Sequence, residues 1–144
     1  MLAALGEART AAAAGEIPVG AVVLGPTGEV LASGRNSRVG GVDPTAHAEV
    51  IAIRDAAAAL GDRFLDGCTL VVTLEPCVMC AGVILAARVP RVVFGAWDEK
   101  AGAVGSVYDL LRDGRLPHPV PEVVSGVLAD ECAALLTEFF AGRR

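Results

Sequence analysis

His47 and Glu49, two residues apart in P-T-A-H-A-E-V (residues 44–50), open a stretch of alanines, Val50, Ile51 and Ile53 that reads as an apolar helix. A helix core has little use for either polar side chain. Further on, Cys77 and Cys80 open a second apolar helix in L-E-P-C-V-M-C (residues 74–80). A spacing of three puts both sulfurs on one side of a helix. Pro76 just before them suits a helix start, where its missing N–H costs nothing. The unsatisfied N–H groups and the dipole at such an end favour thiolate over thiol. Two thiolates so placed make half of a zinc site.

His47 can supply a third ligand. Residues i and i+2 lie about 200° apart on a helix, so His47 and Glu49 cannot share a mid-helix face. They converge only on something beyond the helix end, where first-turn side chains curl over the tip. Two helix starts facing one ion is therefore the economical arrangement. A His-Cys-Cys set leaves the fourth tetrahedral position to water, as catalytic zinc requires. Glu49 then acts as a proton carrier beside that water and not as a ligand. Taken singly the pieces are weak, since a lone C-x-x-C is often redox-active or half of a structural zinc site. In this order and context they form H-x-E…P-C-x-x-C, the known signature of zinc-dependent base deaminases. One Zn2+ per chain is expected.

The surrounding pattern supplies the elements that must hold these residues. Residues 2–14 read as a helix, and V-G-A-V-V-L and V-L-A-S-G around the turn G-P-T-G-E read as a β-hairpin. Residues 35–45 form a glycine-rich loop, and a helix follows over about 46–60, stopped by Gly61. T-L-V-V-T-L (69–74) is an unbroken apolar run, expected as a strand buried on both faces. A helix over about 77–87, a strand at R-V-V-F-G, and a glycine-punctuated loop from Ala96 to Ser106 come next, the loop being a place for chemistry. A short helix near 106–112, a short strand at E-V-V-S-G and an amphipathic helix ending at Phe140 complete the chain. The order predicts an α/β fold: a five-stranded mixed sheet, parallel in part, with helices on both faces, in one domain over residues 1–144.

Composition limits the functions available. The 144 residues are 53% hydrophobic and 20% charged, with a mean hydropathy of +0.55, and suffice for one sizeable core. No uninterrupted apolar run reaches the roughly 18 residues of a membrane span. Glu7 and Arg9 interrupt the small-residue N-terminus, which lacks the basic start of a signal peptide. The cytoplasm is the expected location. Cys68 and Cys132 sit among apolar neighbours and read as core residues. The net charge of −5 argues against general affinity for nucleic acid. Any such contact must use a local patch, and nearly all the basic residues are arginines, suited to phosphate and to base stacking.

Over nearly its whole length the chain resembles the bacterial tRNA-specific adenosine deaminases, members of the cytidine deaminase-like superfamily. The likeness is carried by E-I-P-V-G-A-V-V, N-S-R, D-P-T-A-H-A-E, T-L-E-P-C-V-M-C-A-G, the loop A-W-D-E-K-A-G-A-V-G-S, and the closing helix G-V-L-A-D-E-C-A-A-L-L-T-E-F-F. It implies a three-layer α/β/α fold, a homodimer, and hydrolytic deamination of the wobble adenosine in a tRNA anticodon stem-loop to inosine. It further implies zinc on His47, Cys77 and Cys80, with Glu49 moving the proton. Asn36 and the backbone of Ala48 would hold the flipped adenine. Asp98, with Lys100 nearby, would meet the ribose, and Phe139, Phe140, Arg143 and Arg144 the anticodon loop. The family's usual Asn-His-Arg is replaced by Pro117, His118 and Pro119, where His118 keeps the candidate contact while two prolines remove backbone donors. Trp97 stands where a basic residue is common, free to stack on a base or to pack between subunits. Two other readings stay open: a deaminase of guanine, cytosine or a free nucleoside, and a non-catalytic partner subunit using zinc only to fold.

Overall fold

The structure is a computed structural model that describes residues 1–143; Arg144 lies outside the described residues. Its elements in order are α1 (Leu2–Ala13), β1 (Gly20–Leu24), β2 (Val30–Arg35), α2 (Ala48–Leu60), β3 (Thr69–Leu74), α3 (Val78–Ala86), β4 (Arg91–Ala96), β5 (Glu122–Val124) and α4 (Ala129–Ala141). The five strands make one sheet in the order β2-β1-β3-β4-β5. β1 pairs antiparallel with both β2 and β3, while β3, β4 and β5 run parallel. The sheet is mixed because β1 reaches β2 through a tight hairpin, whereas β3 reaches β4 through a helical crossover.

The pleat sorts side chains between two apolar layers. Ala21, Val23, Leu70, Val72, Val92 and Phe94 face a large core shared with Ala48, Ala52, Ile53 and Ala56 of α2 and with Ala81, Ile84 and Leu85 of α3. The intervening Val22 and Val71 face the other way, onto Ala4 of α1, and Leu5 and Cys132 close that side beneath α4. Strand alternation thus builds three layers, α1 and α4 below the sheet and α2 and α3 above it. β3 is buried on both faces, as its unbroken apolar run predicts.

Alanine-rich helices let the layers approach closely. At Gly34 of β2 an added Cβ would stand 2.7 Å from the backbone nitrogen of Ala52, so the first turns of α2 rest directly on the strand. That contact fixes where His47 and Glu49 emerge. Gly61, with φ of 67°, ends α2 in the left-handed conformation that suits glycine.

One expected element is absent. Residues 106–112 form turns and not a helix. The backbone N–H groups of Val107 and Tyr108 donate to the Gly102 carbonyl, that of Leu110 to Ala103, and those of Val104 and Ser106 to a side-chain carboxylate, Glu75. Donors committed to partners earlier in the chain and outside the segment cannot make the i to i−4 bonds of a helix.

Candidate metal centre and active site

Both helix starts deliver a donor from the same structural position. His47 is the N-cap of α2 and Cys77 the N-cap of α3, each with extended backbone and neither using its side chain to cap its own helix. The side chains are thereby free to point past the helix ends. Nδ1 of His47 stands 3.6 Å from Sγ of Cys77 and 3.5 Å from Sγ of Cys80, and the three donor atoms lie within 4.8 Å of one another. With zinc–nitrogen and zinc–sulfur bonds of about 2.0 and 2.3 Å, a tetrahedral angle puts nitrogen and sulfur about 3.5 Å apart. The donor set therefore fits zinc in type and in spacing.

Electrostatics agree with the geometry. The Cys77 thiol is drawn down to about 3 by its hydrogen bond with Cys80, with the imidazole of His47 helping against the effect of burial. Cys80 is pushed up by the same bond and by burial, as the sulfur that keeps the shared proton. His47 is raised by its bond to Cys77. A proton held among two sulfurs and an imidazole is what a divalent cation displaces on binding. Two positive helix ends would repel a bare cation, and thiolates between them reverse the local sign.

The triad opens into a cavity of about 260 Å3 lined by Ile17, Val19, Asn36, Arg38, His47, Glu49, Leu74, Glu75, Cys77, Asp98 and Ala101. Glu49 is 4% exposed, and burial pushes its carboxyl up to about 7 against the pull of its own N–H, of His47 and of the Cys80 thiol. Asn36, also buried, accepts a hydrogen bond from the Ala48 N–H through Oδ1 at 3.3 Å. The two residues expected to hold the base are thus bonded to each other. The Ala48 N–H is already engaged, and the amide nitrogen of Asn36 is the donor left for a ligand.

Two larger cavities flank this one. The first, about 600 Å3, shares Ile17, Asn36 and Arg38 with it and continues to Phe139, Phe140 and Arg143. The second, about 500 Å3, shares Ile17, Leu74, Asp98 and Ala101 and continues past Trp97 and Lys100 to Phe140. Of the adjacent phenylalanines, Phe139 is half-buried under the Arg143 guanidinium, 4.0 Å from its ring centroid, and Phe140 is exposed. Asp98 and Lys100 form no ion pair; Oδ1 of Asp98 instead accepts the N–H groups of Lys100 and Ala101. His118 lines none of these three cavities, so the structure does not bring it to the triad. It sits on the exposed proline-flanked loop before β5.

Three residues in this region escaped the sequence reading. Glu16 and Glu75 are buried carboxylates, each accepting hydrogen bonds from the backbone of a loop beside the cleft. Their signal was an acid inside an apolar stretch closely followed by proline, as in E-I-P-V and L-E-P-C. Arg38 had no comparable signal. Among the described residues its guanidinium has no ion pair or hydrogen bond, and it lines both the metal cavity and the flanking cavity of about 600 Å3.

Known proteins align with this geometry. Residues 1–96 match the cytidine and deoxycytidylate deaminase zinc-binding region. A tRNA-specific adenosine deaminase from Haemophilus influenzae is 49% identical over 141 residues, covering 98% of this chain and 81% of that one. A tRNA(Ile)-lysidine synthase from Deinococcus deserti is 56% identical over 137 residues, covering 95% of this chain but 25% of that one, so the chain spans about a quarter of that relative's length. Among solved structures, one from studies of A-to-I editing by tRNA:A34 deaminases superposes with a TM-score of 0.88 at 44% identity, covering 92% of this chain and 95% of that one. The guanine deaminase of Nitrosomonas europaea superposes less closely, with a TM-score of 0.79 at 31% identity over 96% of this chain and 81% of that one. With its His-Cys-Cys donor set, its five-stranded mixed sheet and these matches, the chain belongs to the tRNA-specific adenosine deaminase family, within the cytidine and deoxycytidylate deaminase zinc-binding group.

Proposed function

We propose that this protein hydrolyses the wobble adenosine of a tRNA anticodon stem-loop to inosine, releasing ammonia. The observation that carries the reading is the convergence of His47, Cys77, Glu49 and Asn36 on one small cavity beside Cys80. Zinc held by His47, Cys77 and Cys80 would keep one position for solvent and lower the pKa of water there. Glu49, buried beside the donors, takes one proton from the water and delivers it to N1 of the purine as the oxygen bonds to C6. It then carries the second proton, from the C6 hydroxyl, to the amine, which leaves as ammonia. Asn36 donates through its amide nitrogen to a ring acceptor, and Asp98 stands at the cavity wall where the sugar would enter.

A stem-loop substrate is favoured over a free base by what surrounds the cavity. Phe140 and Trp97 offer exposed faces for unstacked bases, and Arg38 and Arg143 place guanidinium groups at the cleft of a chain that is acidic overall. An unpaired loop nucleotide is cheap to extrude into such a pocket. The names of the relatives, which act on tRNA, support the same substrate class. A homodimer is part of the reading. Val78 at the start of α3 and Val107 and Tyr108 on the adjoining loop are exposed, and an apolar surface there suits a second copy of the chain. We also place the protein in the cytoplasm, where reducing conditions keep Cys77 and Cys80 available for metal.

The test is incubation of the purified protein with an anticodon stem-loop carrying adenosine at the wobble position, compared with free adenosine, guanine and cytosine. Inosine in the stem-loop, with activity falling steeply as salt rises, is the expected result. Ammonia from free guanine and none from the stem-loop would overturn the assignment in favour of a small-molecule deaminase.

A further inference from the structure

One buried side chain ties the loop on the far wall of the cleft to the turn that delivers a metal donor. Glu75 follows β3, two residues before Cys77, and is 2% exposed. Its Oε2 accepts the N–H of Asp98 at 2.9 Å and the hydroxyl of Ser106. Its Oε1 accepts the N–H groups of Val104 at 3.0 Å and Ser106 at 2.9 Å. Four donors on two oxygens saturate a carboxylate, and all four come from one loop. The same loop is held to the same turn by the Ala103 N–H on the Pro76 carbonyl and by backbone pairing of Cys77 with Gly102. A Cβ at Gly102 would meet the Glu75 carboxylate, so a side chain there would have to displace it from these donors.

The loop so anchored sends Asp98 and Ala101 to the wall of the cavity that holds His47, Glu49 and Cys77. We propose that Glu75 is a positioning residue for substrate binding: by ordering residues 98–106 it holds Asp98 at the mouth of the metal cleft. Its oxygens are fully committed to the loop, so it has no acceptor left for a ligand and acts through Asp98. The activity part of the test rests on the deaminase reading; the ordering of the loop does not.

Glu75→Gln puts an amide N–H2 where a carboxylate oxygen met two donors. The variant should raise KM for the stem-loop about tenfold while kcat stays within about threefold, with one zinc retained per chain. Backbone amides of Asp98, Val104 and Ser106 should lose about tenfold in hydrogen-exchange protection, and the emission of Trp97, the chain's single tryptophan, should shift. Asp98→Ala should raise KM alone, and adding Glu75→Gln should raise it no further. Glu75→Asp, which keeps the carboxylate, should recover part of the loss. Multiplying KM effects in the double variant, a fall in kcat at constant KM, or unchanged amide exchange would each overturn the proposal. Should Glu75→Gln fail to fold, Ser106→Ala removes one donor and leaves the carboxylate in place; a smaller rise in KM is expected, and no rise overturns it. A wild-type protein inactive on every stem-loop would remove the deaminase reading alone, since exchange at residues 98–106 decides the role of Glu75 without it.

Discussion

Glu49 and Glu75 stand in mirrored places. Glu49 lies two residues after the donor His47, inside the first turn of α2; Glu75 lies two residues before the donor Cys77, after β3. Both are almost fully buried, and both line the metal cavity. Their partners differ. Glu75 is met by four donors from one loop, which occupy both of its oxygens. Glu49 is met by its own N–H and the Cys80 thiol, with burial working against its charge. On the proposed reading Glu75 fastens and Glu49 carries a proton because the donors around them differ, while residue type and depth do not distinguish the two.

The contrast presupposes an assembled donor set, so its removal has the largest expected effect. His47→Ala should release zinc and reduce inosine formation to background, as metal content and product analysis on the same sample would show. Glu49→Gln comes next. Kcat should fall by about 10²- to 10⁴-fold while zinc remains at one per chain. Loss of metal together with activity would make Glu49 a ligand and dissolve the distinction from Glu75. Beyond the buried pair, Phe140→Ala should weaken stem-loop binding by about 1–3 kcal/mol if its exposed ring carries a base, with turnover of bound substrate unchanged. A direct binding titration measures this, and equal affinity would leave Phe140 with no part in recognition. The smallest effect belongs to Arg38→Ala, which should lower the dependence of log affinity on log salt by about one phosphate contact. Activity on free adenosine should not change, and an unchanged salt slope would remove Arg38 from the phosphate contacts.

Much of the candidate centre was legible because its parts are local. The spacing of Cys77 and Cys80, the proline before them, and the placing of His47 and Glu49 at a helix start are short-range facts. α2 and α3 begin within two residues of where the pattern places them. The strands were legible for the same reason, since alternation and apolar runs mark them residue by residue. Residues 106–112 were misread as helix because their composition allows one. The competing partners, Glu75 and the carbonyls of Gly102 and Ala103, make contacts that no window over 106–112 contains. Arg38 has no pattern around it, and only the meeting of two cavities distinguishes it from the other arginines. His118, expected as an RNA contact from its place in the sequence, lies outside the three cavities around the cleft.

By itself the sequence determined which atoms could bind metal, which helix ends would present them, and the mixed sheet between. Those follow from backbone hydrogen bonding and side-chain periodicity within a few residues. Only the tertiary structure decided that Nδ1 of His47 comes within 3.6 Å of both sulfurs across a separation of 30 residues or more, that Asn36 binds Ala48, and that Glu75 gathers the far loop. Such meetings depend on how strands that are distant in the chain pair and on how closely α2 can settle onto Gly34, terms set by packing of the whole core.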